Sequence, residues 1–261
     1  MIFRRTIGWG VGQLYRLLGA RRRALATLRT PGLLLPIVIH AATPAEVHAL
    51  LAWLDRANLL PQVRLSFDDG WLTFPDILPV LEHFQMPAIL FIAPGEIARG
   101  RIWTAGTTLP QRQALYSLEA SARDAQLRAW HLPSTRLLMD EATVRDIARH
   151  PLITLGNHTW SHLSCTHRPP AEVLDEVQRA QSCLTQWAGT PPRDFAYPFG
   201  RGTPALDAAL RARGLRPHYT RQGFVTEATL GAARNMVYEG MTRAENLGRI
   251  LMAWPTVGVT Q

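Results

Sequence analysis

Seven short apolar runs, most of them separated by helical patterns, constrain the fold of this chain more than anything else in it. They fall at 33–39, 62–67, 87–93, 152–156, 193–197, 215–220 and 235–238. Their length and apolar, β-branched content are those of buried strands. Stretches with a helical period lie at 44–57, 74–84, 140–150, 170–187 and 204–213, and a further one at 243–254 follows the last strand. Thr43 and Thr203 each stand just before a proline, the arrangement of an N-cap followed by proline in the first turn. Alternation of this kind predicts an α/β fold on a mostly parallel sheet, open or closed into a barrel. In such folds the C-terminal strand ends meet at the active site.

The stretch 96–138 does not fit the alternation and is too long for an ordinary connection. It carries Trp103, Tyr116 and Trp130, and 111–128 reads as one helix. We expect a helical insertion after the third strand, either lying over the strand ends as a lid or substrate wall or packed outside.

Residues 1–30 stand apart from the expected main domain at 31–261. Phe3, Ile7, Val11, Leu14 and Leu18 recur at helical spacing, and Arg4, Arg5, Gln13 and Arg16 lie largely off that stripe. A basic amphipathic arm of this kind can lie in an anionic membrane surface, pack on the domain's own flank, or serve as a signal peptide. Gln13 and Arg16 interrupt the apolar region that export needs, so the expected location is cytoplasmic with peripheral contact at the inner membrane face. No run approaches the roughly 20 apolar residues of a membrane span.

All 28 basic residues are arginine, which excludes a phosphate-loop lysine and a Schiff-base lysine. Seven of them precede the first acidic residue, Glu46, so the net charge of +8 leaves the body of the chain close to neutral. That argues against a nucleic-acid-binding face. Two cysteines, Cys165 and Cys183, make no disulfide framework and read as free thiols.

Three clusters of chemistry follow predicted strands. The first, Leu65-Ser66-Phe67-Asp68-Asp69-Gly70, ends a strand on adjacent carboxylates. Strand side chains alternate faces, so both carboxylates reach one cavity only if the chain turns there, which Gly70 allows. Two such charges call for a cation or a shared proton; the plain alternative is a solvated turn. The second is Asn157-His158-Thr159-Trp160-Ser161-His162. Its histidines are four apart, the spacing that puts two imidazoles on one face of a helical turn. With one carboxylate they make a His-His-Asp set with open positions, the form of a catalytic zinc site. The third, Phe195-Ala196-Tyr197-Pro198-Phe199-Gly200, has the Pro and Gly of a tight loop whose N–H groups can face a ligand.

In that order the three clusters resemble the first three motifs of the polysaccharide deacetylases, carbohydrate esterase family four, with its NodB-like homology domain. The resemblance runs from about Leu33 to Val237. It implies a deformed (β/α)₇ barrel and a divalent metal, zinc first with cobalt or manganese as alternatives. It also implies hydrolysis of an N- or O-acyl group, N-acetyl first, on a glycan or lipid-linked sugar. Carried over by motif, Asp68 is similar to the general base, and Asp69, His158 and His162 to the metal ligands. The backbone N–H of Phe199 is similar to the oxyanion donor.

Two departures stand out. Many members carry arginine at the position of Ala196, where it orients the base; Arg234 is the candidate replacement here. The late Leu-x-His motif that supplies the general acid has no match near the C-terminus, which leaves His40 and His218 as candidates. Two rival readings remain: a non-haem iron oxygenase built on the same triad, and a glycan-binding member of the fold without activity.

Overall fold

The computed structural model of the chain describes residues 30–132 and 135–237. The first crossover shows how the sequence starts its helices. Thr43 Oγ1 accepts the N–H of Glu46 (3.3 Å) while the Glu46 carboxylate accepts the Thr43 N–H (2.9 Å). This reciprocal cap, with Pro44 in the first turn, begins α1, Pro44–Arg56. Thr203 caps α8, Pro204–Ala212, in the same way from its side chain.

All seven expected strands form: β1 Leu35–Ile39, β2 Val63–Asp68, β3 Ala88–Ile92, β4 Ile153–Asn157, β5 Asp194–Ala196, β6 Arg216–His218 and β7 Asn235–Met236. They make one parallel sheet in the order β6-β5-β4-β3-β2-β1-β7. The remaining crossover helices are α2 Phe74–His83, α6 Glu141–Ile147 and α7 Pro170–Ala188. The sheet curls into a deformed (β/α)₇ barrel whose edges, β6 and β7, are not paired with each other. Residues between them bridge the seam instead: Tyr219 N–H donates to Gly231 O (2.9 Å) and Arg234 N–H to Arg221 O (3.1 Å).

The insertion is not the single helix expected over 111–128. It forms α3 Pro94–Arg99, α4 Leu109–Leu115 and α5 Ala120–Ala129. Thr108 and Gln111 form a capping box that starts α4 earlier than expected, and the chain between Tyr116 and Glu119 breaks the helix before α5. Trp130 caps the end of α5. The predicted helix at 243–254, the end of the last strand at Tyr238 and the arm at 1–29 lie outside the described residues. Among the described residues no helix is long and apolar enough to cross a membrane. Cys165 and Cys183 are both free thiols.

Alternation along the strands divides the core. Leu35, Ile37, Ile39, Leu65 and Phe67 face outward and join Leu51 and Leu54 of α1 and Ile77 and Leu81 of α2 in the main apolar cluster. Burial of each such Leu or Ile contributes roughly 1.5–3 kcal/mol. By the same period, Ser66, Asp68, Ile89, Phe91, Thr154 and Gly156 face into the barrel. Gly156 is needed there, because a Cβ on it would stand 2.4 Å from Phe91 Cδ1. Gly156→Ala is therefore expected to cost about 1–3 kcal/mol as overpacking. At about 2–4 °C per kcal/mol for a domain of this size, that is a Tm lower by several degrees in thermal unfolding. An unchanged Tm would show that the Phe91 ring can shift freely.

Candidate active site

The carboxylate pair lies where β2 ends. Asp68 is the last strand residue and is buried. Asp69 takes a left-handed backbone (φ 76°) and Gly70 another (φ 81°). Two such residues in succession turn the chain so that both carboxylates approach His158 Nε2, Asp68 to 4.0 Å and Asp69 to 3.6 Å. Glycine alone was expected to supply this turn; aspartate, which tolerates the left-handed region better than most residues, shares it. The Asp69 N–H is anchored on Phe91 O at 3.0 Å.

The histidine pair is brought together differently from the helical turn its spacing suggests. Residues 158–162 form an irregular loop in which Thr159 (φ 60°) and His162 (φ 51°) are left-handed. Side chains replace the helical hydrogen bonds. Asn157 Oδ1 accepts the Thr159 N–H (2.9 Å), Thr159 Oγ1 accepts the Leu163 N–H (3.0 Å), and Glu176 accepts the Ser161 N–H (2.7 Å). The two imidazoles still meet, with ring centroids 4.8 Å apart.

Asp69, His158 and His162 each present a ligand atom within 4.8 Å of the others, all buried. Asp69 Oδ1 lies 3.6 Å from His158 Nε2 and 3.5 Å from His162 Nε2, and it has no hydrogen-bond partner among the described residues. Those separations are too long for hydrogen bonds. They suit two donors that share one cation, since tetrahedral ligands about 2.0–2.1 Å from zinc stand roughly 3.4 Å apart. His158 Nδ1 lies 2.8 Å from Ala196 O. A carbonyl only accepts, so Nδ1 carries the proton and Nε2 is left with its lone pair facing Asp69. Burial holds both imidazoles below their usual pKa, and so neutral, as ligands must be. Burial, reinforced by the charge of Asp68, raises the Asp69 carboxyl. A cation would relieve that cost. The donor set fits a divalent metal.

Arg234 is brought to Asp68. Its Nη1 donates to Asp68 Oδ1 (2.6 Å) and its Nη2 to Oδ2 (2.9 Å), a two-pronged grip on a fully buried carboxylate. Nη2 also reaches Thr220 Oγ1 at 3.1 Å. Burial works to raise the Asp68 pKa, but Arg234, His158 and His40 outweigh it and hold the carboxyl well below the usual range. Arg234 precedes β7 and lies at the lower end of the barrel, since Asn235 pairs with Ile37. Its side chain therefore rises through the interior to reach the upper strand ends. The guanidinium stacks over the Phe91 ring, 4.9 Å from its centre.

The two candidate acids part company. His40 Nε2 stands 3.9 Å from Asp68 Oδ2 and is 35% exposed, so it faces both the carboxylate and solvent. His218 is buried and its Nε2 is hydrogen-bonded to Asp194 Oδ1 (2.7 Å). Phe91 packs between His158 (6.4 Å between centroids) and His218 (5.3 Å).

Phe199 has a left-handed backbone (φ 60°), and its ring packs 4.8 Å from His162. The insertion reaches this wall: Trp103 lies 5.7 Å from Phe199 and Tyr116 4.9 Å from it. Trp103 Nε1 donates to His162 O (2.9 Å), and Arg123, stacked on Trp103, donates to Ser161 O (3.0 Å). Beneath them Glu96 is fully buried; burial pushes its carboxyl up to about 7 although Arg99 and Arg123 work to hold it down. The insertion thus braces the histidine loop. The Glu96–Arg123 pair was not foreseen, since nothing local in the sequence distinguishes it from surface charge.

No curated protein sequence matches the chain. Its fold is similar to those of several solved structures. That of IcaB from Ammonifex degensii has a TM-score of 0.58 at 19% identity, over 82% of this chain and 96% of that one. The BpsB deacetylase domain from Bordetella bronchiseptica has a TM-score of 0.55 at 16% identity, over 80% and 97%. The Streptococcus pyogenes deacetylase PplD, solved in complex with acetate, has a TM-score of 0.52 at 16% identity, over 85% and 99%. A sequence profile described as Polysaccharide deacetylase matches residues 58–218, which contain both carboxylates, both histidines and the Phe199 loop. With that match over more than half its length, the chain belongs to the polysaccharide deacetylase family.

Proposed function

We propose that the chain is a metal-dependent hydrolase that removes an N-acyl group, acetyl first, from a glycan or lipid-linked sugar. The observation that carries this reading is the division of labour between neighbouring carboxylates: Asp69 faces two imidazoles, whereas Asp68 is held by Arg234. Asp69, His158 and His162 would hold the cation, zinc or a similar divalent ion. Bound there, such an ion polarises an acyl carbonyl and lowers the pKa of water. Asp68, kept ionised by Arg234, takes the proton of the attacking water. The Phe199 N–H donates to the oxygen on which charge develops. His40, exposed beside Asp68, gives the leaving nitrogen its proton; His218 is already committed to Asp194. Tyr116 and Phe199, backed by the buried Trp103, form one wall for the sugar.

The test is a screen for acetate and formate release from N-acyl oligosaccharides and lipid-linked sugars, with the purified chain loaded with defined metals. Release that requires metal and disappears with chelation supports the proposal. Binding of a chitooligosaccharide without release from any substrate would replace it with a glycan-binding role.

Peripheral contact of residues 1–30 with the inner face of a membrane is part of the same proposal, supported by the basic amphipathic pattern of the arm. The full chain is expected to sediment with anionic vesicles and to be released at about 1 M salt, where charges are screened beyond about 3 Å. Failure to sediment at low salt removes this part.

A further inference from the structure

We propose that the lower half of the barrel is a second ligand site, separate from the catalytic one, that takes a medium-chain carboxylate. Strand register places Val38, Ser66, Ile89 and Thr154 on one level across four adjacent strands. β3 and β4 have neighbours on both sides, and parallel strands in such a position are normally covered on both faces. Here Thr154 is exposed and Ile89 only half-buried. Both line a cavity of about 420 Å³ together with Pro36, Arg64, Ser66 and Arg234. Small inward side chains on this level, Ser66 and Thr154 among them, leave the space open. The cavity is in the size range of small-molecule sites, about 300–1,000 Å³.

The site is distinct from the one above. Asp69, His158 and His162 do not line the cavity, and neither does Asp68. Phe91, two residues above Ile89 on the same inward face and level with Asp68, is not part of the lining and carries the Arg234 guanidinium on its ring.

The lining chooses the ligand. Pro36, Leu60, Ile89 and Leu230 offer apolar wall. The formally charged lining residues are Arg64 and Arg234, with no carboxylate among the lining side chains. Arg64 is paired at 2.6 Å with Glu227, which lies largely in solvent. At the inner end, Arg234 Nη1 and Nη2 serve Asp68, Ser66 and Thr220, but its buried Nε has no hydrogen-bond partner among the described residues. A buried donor without a partner is costly, and an anion on an apolar body answers both the donor and the wall. Because the anion shares a guanidinium with Asp68, its binding changes how that carboxylate is held. Only this coupling rests on the hydrolytic reading; binding does not.

The experiment titrates the full chain with the fluorescent anion 8-anilinonaphthalene-1-sulfonate and displaces it with decanoate or decanol, which share a chain but not a charge. One saturable site is expected, with decanoate displacing the probe at least tenfold more tightly than decanol. Ile89→Trp and Thr154→Trp each fill the cavity, and a folded variant of either kind, checked by circular dichroism, is expected to lose at least tenfold in affinity. The decanoate-to-decanol ratio on the unaltered chain stands as a test even if neither variant folds. Absence of a saturable site, equal displacement by both compounds, or unchanged binding in a folded Trp variant overturns the proposal. Hydrolytic activity enters none of these outcomes.

Discussion

Asp68→Asn is expected to lower turnover by on the order of 10²–10⁴-fold, the usual worth of a general base, while the protein keeps most of its metal. Asparagine has the same size and can still accept a hydrogen bond on one arm, but it cannot take a proton. Asp69→Ala is expected to lose metal and activity together, as are His158→Ala and His162→Ala. The geometry separates the two cases. Asp69 Oδ1 is 3.5–3.6 Å from both imidazole Nε2 atoms, whereas the oxygens of Asp68 are taken by Arg234 and approach His158 only to 4.0 Å. Metal content and turnover of the same preparations decide the matter. Near wild-type turnover in Asp68→Asn removes Asp68 from the base role. Metal loss as complete as in Asp69→Ala makes Asp68 a ligand.

The parts of this site that could be read in the sequence are those fixed by local chain direction. Asp68 ends a strand and His158 and Phe199 each come just after one, and a parallel sheet sends all strand ends to one side, so the approach of Asp68 to His158, 90 residues away, follows from topology. Strand positions were legible for the same reason, because their apolar runs need only local pattern. What stayed hidden depends on rotation and reach. The histidine spacing suggested a helical turn, yet Asn157, Thr159 and Glu176 hold an irregular loop through hydrogen bonds to its backbone. Arg234 could be suspected only from the missing arginine at Ala196; its passage up the barrel depends on the small side chains that leave room for it. The break of the insertion into α4 and α5 was likewise invisible to periodicity, since residues 111–128 keep helical character on both sides of it.

Arg234→Met is expected to be the most damaging single change away from the metal ligands. Breaking a buried ion pair by removing one partner costs about 3–5 kcal/mol, because the other charge stays behind without its counterpart. The pH dependence tells this apart from a simple packing loss, and the metal-free chain is the cleaner place to measure it. With Arg234 present, Asp68 is held below its unfolded pKa, so it contributes stability above the unfolded value that is lost only as the pH falls toward the folded one. Without Arg234, burial dominates and places the folded pKa above the unfolded one. The sign then reverses: the protonated carboxyl is tolerated at low pH, and stability falls as the pH rises through the unfolded value toward the folded pKa. Thermal unfolding of Arg234→Met in chelator should therefore show a Tm that declines from acid toward neutral pH relative to the parent chain. Turnover of the metal-loaded variant should fall with it, because Asp68 is neither fixed nor kept ionised. Arg234→Lys keeps the charge without the two-pronged grip and should recover the pH dependence of stability more fully than turnover. A parallel Tm–pH curve for Arg234→Met and the parent would show that Asp68 does not depend on this arginine for its charge.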